Sequence, residues 1–159
     1  MVGNGSGAFN LLGLTSEGTG VNGIPLVWAN IAILQIGNGI HPHLDAYIGF
    51  TGPTNFGSGG EFFANIGSGD FISLQPTNRV LYLPMGYVSN TALTDSMTFT
   101  GATFASLGLT PGTHEWTWGD GRNQNFTLII GQVPDGGTTV SLLGFALLGL
   151  VALRRRLGC

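Results

Sequence analysis

The side chains able to do chemistry are sparse in this sequence, and their densest group is His41-Pro42-His43-Leu44-Asp45. In an extended segment residues two apart share a side, so His41, His43 and Asp45 face one way. Imidazole nitrogens beside a carboxylate make the ligand set of a Zn or Cu site. A further ligand is not adjacent; His114 is the residue that would have to converge on the three. The plainer reading is a polar loop leading into a strand over 46–50, and on that reading no metal and no cofactor is assigned.

Other catalytic materials are missing. No Ser stands in Gly-x-Ser-x-Gly, no Cys precedes Cys159, and no phosphate loop closes on Gly-Lys-Ser/Thr. Glu61, Asp70 and Glu115 would suit glycoside hydrolysis if the fold paired them, but nothing in their spacing does so. Residues 18–23 match Gly-x-Gly-x-x-Gly, yet Ile24-Pro25-Leu26-Val27 reads as strand where a dinucleotide site needs a helix, so a flexible turn is expected. Asp120, Asn123 and Asn125 resemble a Ca²⁺ loop with a single carboxylate. Asn125-Phe126-Thr127 is a glycosylation sequon of a kind that recurs by chance. The residues point away from an enzyme.

The elements that would carry these groups read as β. Glycine is 28 of 159 residues, more than twice the usual share of about 7%, and lies scattered between apolar runs as it would between short strands. A single buried strand is expected over 26–36, and a hairpin-like turn at Gly67-Ser68-Gly69-Asp70 between strands 61–66 and 71–74. Short strands follow over 79–83 and 96–104, with Pro111-Gly112 at the centre of a type II turn. Then His114, Trp116 and Trp118 alternate with Glu115 and Thr117, and Phe126, Leu128 and Ile130 alternate in the last run, so the two runs should pair antiparallel with both apolar faces in one core. The expected fold is all-β: a single antiparallel β-sandwich or jelly-roll-like domain over 1–132, followed by one short apolar helix. Tyr47, Tyr82 and Tyr87 would stack on sugars if exposed, and otherwise are half-buried sheet residues.

Charge narrows the partners. Charged residues are 8% of the chain and there is no Lys. Residues 1–132 carry Arg79 and Arg122 against Glu17, Asp45, Glu61, Asp70, Asp95, Glu115 and Asp120, a net −5; the remainder, three Arg against Asp135, is +2, which together give −3. Such a body has no basic footprint for nucleic acid or anionic lipid. Its one Cys is Cys159, so no disulfide is expected.

The C-terminal residues have a separate grammar. Val133-Pro134-Asp135-Gly136-Gly137 is a turn-forming box; residues 138–153 are Thr, Ser, Gly and aliphatics; Arg154-Arg155-Arg156 follows. Val140, Leu142, Leu143, Phe145, Leu147, Leu148, Leu150 and Leu153 supply the apolar surface of the middle part. As a helix, residues 140–153 cover roughly 21 Å, against a hydrocarbon core of about 30 Å. Counting Thr138, Thr139 and Ser141, and with the arginines reaching for the interface, the helix just spans, its basic end held on the cytoplasmic side. A short run between a turn and a basic cluster suits a processing signal better than a permanent anchor.

These three parts resemble the PEP-CTERM sorting tail of bacteria, in the VPDSG type that begins Val-Pro-Asp; tails of this kind also carry the label of an ice-binding protein C-terminal domain. The resemblance implies an exosortase substrate: a membrane-embedded, transpeptidase-like enzyme recognises the box at 133–137 and removes the tail at the inner membrane. It further implies release or attachment at the cell surface, in extracellular polysaccharide or biofilm. Residues 103–119 and 126–128 are also similar to the last body strands of many PEP-CTERM proteins, a likeness that brings no activity with it. Ice binding would need rows of Thr-x-Thr, and Thr98-Phe99-Thr100 is the lone clear instance. Met1-Val2-Gly3-Asn4-Gly5-Ser6 has no basic or apolar region of a secretory signal, so an exported protein is expected to start upstream of Met1. The expected role is structural or adhesive in the polysaccharide matrix, with a carbohydrate-binding module as the alternative and a metal-dependent or glycan-active enzyme behind both.

Overall fold

The computed structural model describes residues 1–20, 23–39 and 43–131. Twelve strands fill these residues: β1 (Val2–Ala8), β2 (Thr15–Gly20), β3 (Leu26–Trp28), β4 (Ile33–Ile36), β5 (Leu44–Ile48), β6 (Glu61–Phe63), β7 (Ile66–Gly69), β8 (Ile72–Gln75), β9 (Val80–Pro84), β10 (Ala92–Thr98), β11 (Gly112–Thr117) and β12 (Asn125–Ile130). Every pairing is antiparallel. One layer is a continuous seven-stranded sheet in the order β2-β5-β9-β8-β4-β3-β6. Facing it are two pieces, β1-β10-β7 and β11-β12. The expected all-β sandwich is what forms; the expected terminal helix lies outside the described residues.

Alternation builds the core between the layers. Leu34 and Ile36, Leu74, Leu81 and Leu83 point inward from the continuous sheet and meet Leu93, Met97, Trp116 and Ile130 from the opposite side. Two residues, Ala64 and Asn65, carry the chain from one layer to the other, anchored by Ala64 N–H to Pro25 O and Asn65 N–H to Thr98 O, each 2.8 Å.

Two expectations are corrected. Residues 26–36 are not one strand but a hairpin, β3–β4, turned by a 3₁₀ segment Ala29–Ile31 with Ala32 at φ 54°. Its loop is invisible to hydropathy because Ala29 and Ala32 are themselves fully buried. The same device joins β8 to β9 through Pro76–Asn78, with Arg79 at φ 57°. Second, Gly67-Ser68-Gly69 is not a turn but strand β7, paired to β10. Gly67 serves close packing, since a Cβ there would lie 2.1 Å from Gly37 O; Gly69 serves both packing and conformation, with a Cβ 2.2 Å from Thr94 O and φ at 82°.

Smaller shifts follow. β10 lies at Ala92–Thr98 rather than over 96–104, and Gly112, expected inside a turn, opens β11. The last pair is as expected: Trp116 faces Phe126 and His114 faces Leu128 across the β11–β12 ladder.

Candidate functional site

The His/Asp group lies at the start of β5. His41 is outside the described residues. His43 is exposed and Asp45 half-exposed, on the outer side, while Leu44 and Ala46 between and after them are buried. Asp45 has a structural partner: its Oδ2 accepts from Gly86 N–H at 2.8 Å, which pins the turn after β9. His114 stands on β11 in the opposite layer, edge-on to Phe56 at 6.1 Å, a ring nitrogen 3.4 Å from Thr110 O. Among the described residues no three His, Cys, Asp or Glu side chains gather as metal ligands. The three carboxylates considered for glycoside chemistry stand on β6 (Glu61), just after β7 (Asp70) and on β11 (Glu115). Two of them have partners: Asp70 Oδ2 accepts from Thr94 N–H, and Glu115 Oε1 from the Asn125 amide, each at 2.8 Å.

The three tyrosines are half-buried. Tyr87 is a clamp: its hydroxyl accepts from Phe9 N–H at 2.8 Å and lies 2.7 Å from Thr91 O, to which it donates. Burial raises the pKa of the Tyr87 hydroxyl, and burial followed by the nearby Asp45 charge raises that of Tyr47.

A larger concavity among the described residues lies elsewhere, away from these groups. In the split layer β1 pairs only with β10 and β12 only with β11, and these two strands line the sides of one cleft of about 620 Å³. It closes at one end, where Asn10 N–H donates to Asn123 O at 2.7 Å and the Phe9 and Phe126 rings stack at 6.2 Å. Ile36 and Ile72 of the continuous layer, Leu93 and Met97 of β10, and Leu128 and Ile130 of β12 make its wall apolar.

One charged side chain lines it. Asp95 of β10 points inward between Leu93 and Met97, only 7% exposed, and its Oδ1 has no hydrogen-bond partner. Its cross-strand neighbour is Gly5, where a Cβ would lie 2.2 Å from that oxygen, so only glycine leaves room for the carboxylate. Desolvation first, then the negative charge of Asp70, push the Asp95 carboxyl up to about 6. Sequence reading missed this site. Its signal was present: an acid at an inward position of the Leu93-x-Asp95-x-Met97 alternation, opposite the Gly3-x-Gly5-x-Gly7 row.

The tail residues assigned to the box (Val133, Pro134, Asp135, Gly136, Gly137), to the apolar run at 138–153 and to the basic cluster (Arg154, Arg155, Arg156) lie outside the described residues. They follow β12 directly. Residues 132–157 match the VPDSG-CTERM motif, with Gly136 where the motif's name has Ser, so the chain carries a PEP-CTERM-type sorting tail. No curated protein and no solved structure matches the chain.

Proposed function

From a sorting tail joined to an antiparallel β body, we propose that this protein is exported, is processed by an exosortase at the inner membrane, and ends at the cell surface or in the extracellular matrix. The observation that carries this is the match at 132–157, which begins beyond the last strand of the described residues, β12. In this reading residues 1–132 are the mature body and 133–156 the tail. The box at 133–137 is read by the enzyme. The run from Val140 to Leu153 crosses the membrane transiently, and Arg154, Arg155 and Arg156 keep its end cytoplasmic.

The body has a structural or adhesive role in exopolysaccharide rather than a catalytic one. What supports this is the low charge and the half-buried setting of the three tyrosines, two in strands and Tyr87 in the loop after β9. Intact-mass measurement on protein from its own bacterium, with and without the exosortase, is the test. Loss of the residues beyond the box only when the enzyme is present is the expected result. Full-length protein free in the cytoplasm in both strains would overturn the reading. Titration with the same organism's exopolysaccharide then separates the roles: saturable binding that depends on an aromatic side chain would make the body a carbohydrate-binding module.

A further inference from the structure

We propose that the cleft between β1 and β12 binds an amphiphilic amine, with the ammonium head at the Asp95 carboxylate and the aliphatic body along the apolar wall. Two independent observations carry this: a cavity built into the sandwich, and an unpaired acid that lines it.

The cavity has a cause in the sequence. β1 turns Gly3, Gly5 and Gly7 inward, opposite Met97, Asp95 and Leu93 of β10. Three successive inward positions therefore give the core no side chain. A Cβ on Gly7 would meet nothing within 4 Å, so the space beside it is open. Together with the missing ladder between β1 and β12, this leaves the cleft of about 620 Å³. Small-molecule sites of about 300–1,000 Å³ combine a mostly apolar wall with a few placed polar groups. Here the placed group is Asp95.

The acid is unanswered by the protein. Its Oδ1 is buried and has no hydrogen-bond partner. Arg79 and Arg122 are exposed, and neither lines the cleft. The Met1 ammonium, which does border it, is taken by Phe99 O at 2.8 Å and Ala102 O at 3.3 Å. Burial, then the charge of Asp70, raise the Asp95 carboxyl to about 6, so near neutral pH it is mostly ionised. A buried anion without a partner is costly. A cationic donor arriving along the cleft relieves both its desolvation and its repulsion from Asp70.

Charge then selects among molecules with an aliphatic body. A fatty acid would set another carboxylate beside Asp95 and Asp70. A fatty alcohol offers one donor and no charge. A primary ammonium offers three donors and the opposite charge. This inference goes beyond the sorting of the chain and does not depend on it.

Calorimetric titration of the full chain near neutral pH with octylamine, octanol and octanoate, each below its micellar concentration, tests it. One saturable site per chain is expected for octylamine. Octanol and octanoate should bind about tenfold or more weakly, the usual worth of a hydrogen bond to a charged group. Asp95→Asn keeps the side chain's shape and should weaken octylamine by a similar factor while leaving octanol unchanged. Position is read separately from isotope-labelled methionine methyls, so that uptake elsewhere on the chain is recognised. Met97, in the cleft wall, should shift with octylamine, and the exposed Met85 should not. No saturable binding, equal affinity for the three compounds, an octylamine affinity indifferent to Asp95→Asn, or a silent Met97 would each overturn the proposal. A dimer in sedimentation together with no amine uptake would overturn it in favour of a second copy across the β1 and β12 edges.

Discussion

The two layers of the sandwich are held together by different means. In the seven-stranded sheet each interior strand is locked on both sides by a backbone ladder, and two matched hairpins, β3–β4 and β8–β9, supply its centre. The opposite layer is interrupted between β1 and β12, and indoles tie its smaller piece to loops. Trp116 Nε1–H donates to Pro53 O at 2.8 Å and Trp118 Nε1–H to Asn10 O at 2.7 Å. The contrast teaches that a layer can be fixed in place without being closed, here by indole hydrogen bonds beside one reciprocal backbone pair, Thr51 with Thr117.

The strongest way to break the second layer is therefore through an indole. Trp116 is fully buried and packs against Phe56 and Phe126 at 6.5 and 5.9 Å. Trp116→Ala should cost about 3–5 kcal/mol, through lost burial, the cavity and the orphaned Pro53 carbonyl. Urea denaturation would show this as a lower midpoint, down to outright unfolding. Next comes Gly5→Ala, whose new methyl would collide with the Asp95 carboxylate. We expect about 1–3 kcal/mol of overpacking. Because the obstacle is a side chain, adding Asp95→Ala should restore much of the loss, and a double-mutant cycle would reveal strong coupling. Additive effects would mean that β1 and β10 do not meet as described.

Alternation made much of this legible in advance. The β11–β12 pair, with Trp116 and Phe126 facing each other, could be read from two runs of period two. The sorting tail could be read because its three parts are contiguous. What stayed hidden had physical reasons. The β3–β4 turn is buried, so its Ala29 and Ala32 look like strand interior. Gly67 of β7 looks like a turn residue because sequence does not separate a glycine needed for backbone conformation from one needed for close approach. The cleft depends on which strands fail to pair, a long-range fact with no local signature. Asp95 looked like any surface acid until its neighbours on β10 were known to face inward.

A subtler contrast between the layers is titratable. The continuous sheet buries Ser73, a neutral group, whereas the split layer buries the carboxylate of Asp95. An acid raised from 3.8 to about 6 on folding keeps its proton better in the folded state than in the unfolded chain. Well below pH 3.8 both states are fully protonated and the group costs nothing. Between pH 4 and 6 the unfolded state binds fewer protons, so stability falls as pH rises; above 6 the cost is complete. Asp95→Asn should remove this dependence, leaving stability unchanged near pH 3, below both pKa values, and raising it by about 1–2 kcal/mol at pH 8 after allowance for solvent screening. Thermal melts of both proteins at the two pH values decide it. Equal gains at both would point to packing instead of charge.

The smallest effect separates the twin hairpins of the continuous layer. Both place a residue with a Cβ in the left-handed region, Ala32 at φ 54° and Arg79 at φ 57°, where L-residues are disfavoured by about 1–2 kcal/mol. Their surroundings differ. Arg79 is exposed, so Arg79→Gly relieves the strain and loses no buried surface. The greater freedom of glycine in the unfolded chain offsets part of the gain, and a net stabilisation of about 0.5 kcal/mol is expected. Ala32 is fully buried, so Ala32→Gly gives back the methyl's burial, about 0.8 kcal/mol, together with the same entropy term, and should gain nothing. Matched melting curves would show a rise of a degree or two in Tm for the first variant and none for the second. If both rose alike, the strain would dominate in either turn and the burial of Ala32 would contribute little; if neither rose, the left-handed conformation would cost this chain less than the general figure implies.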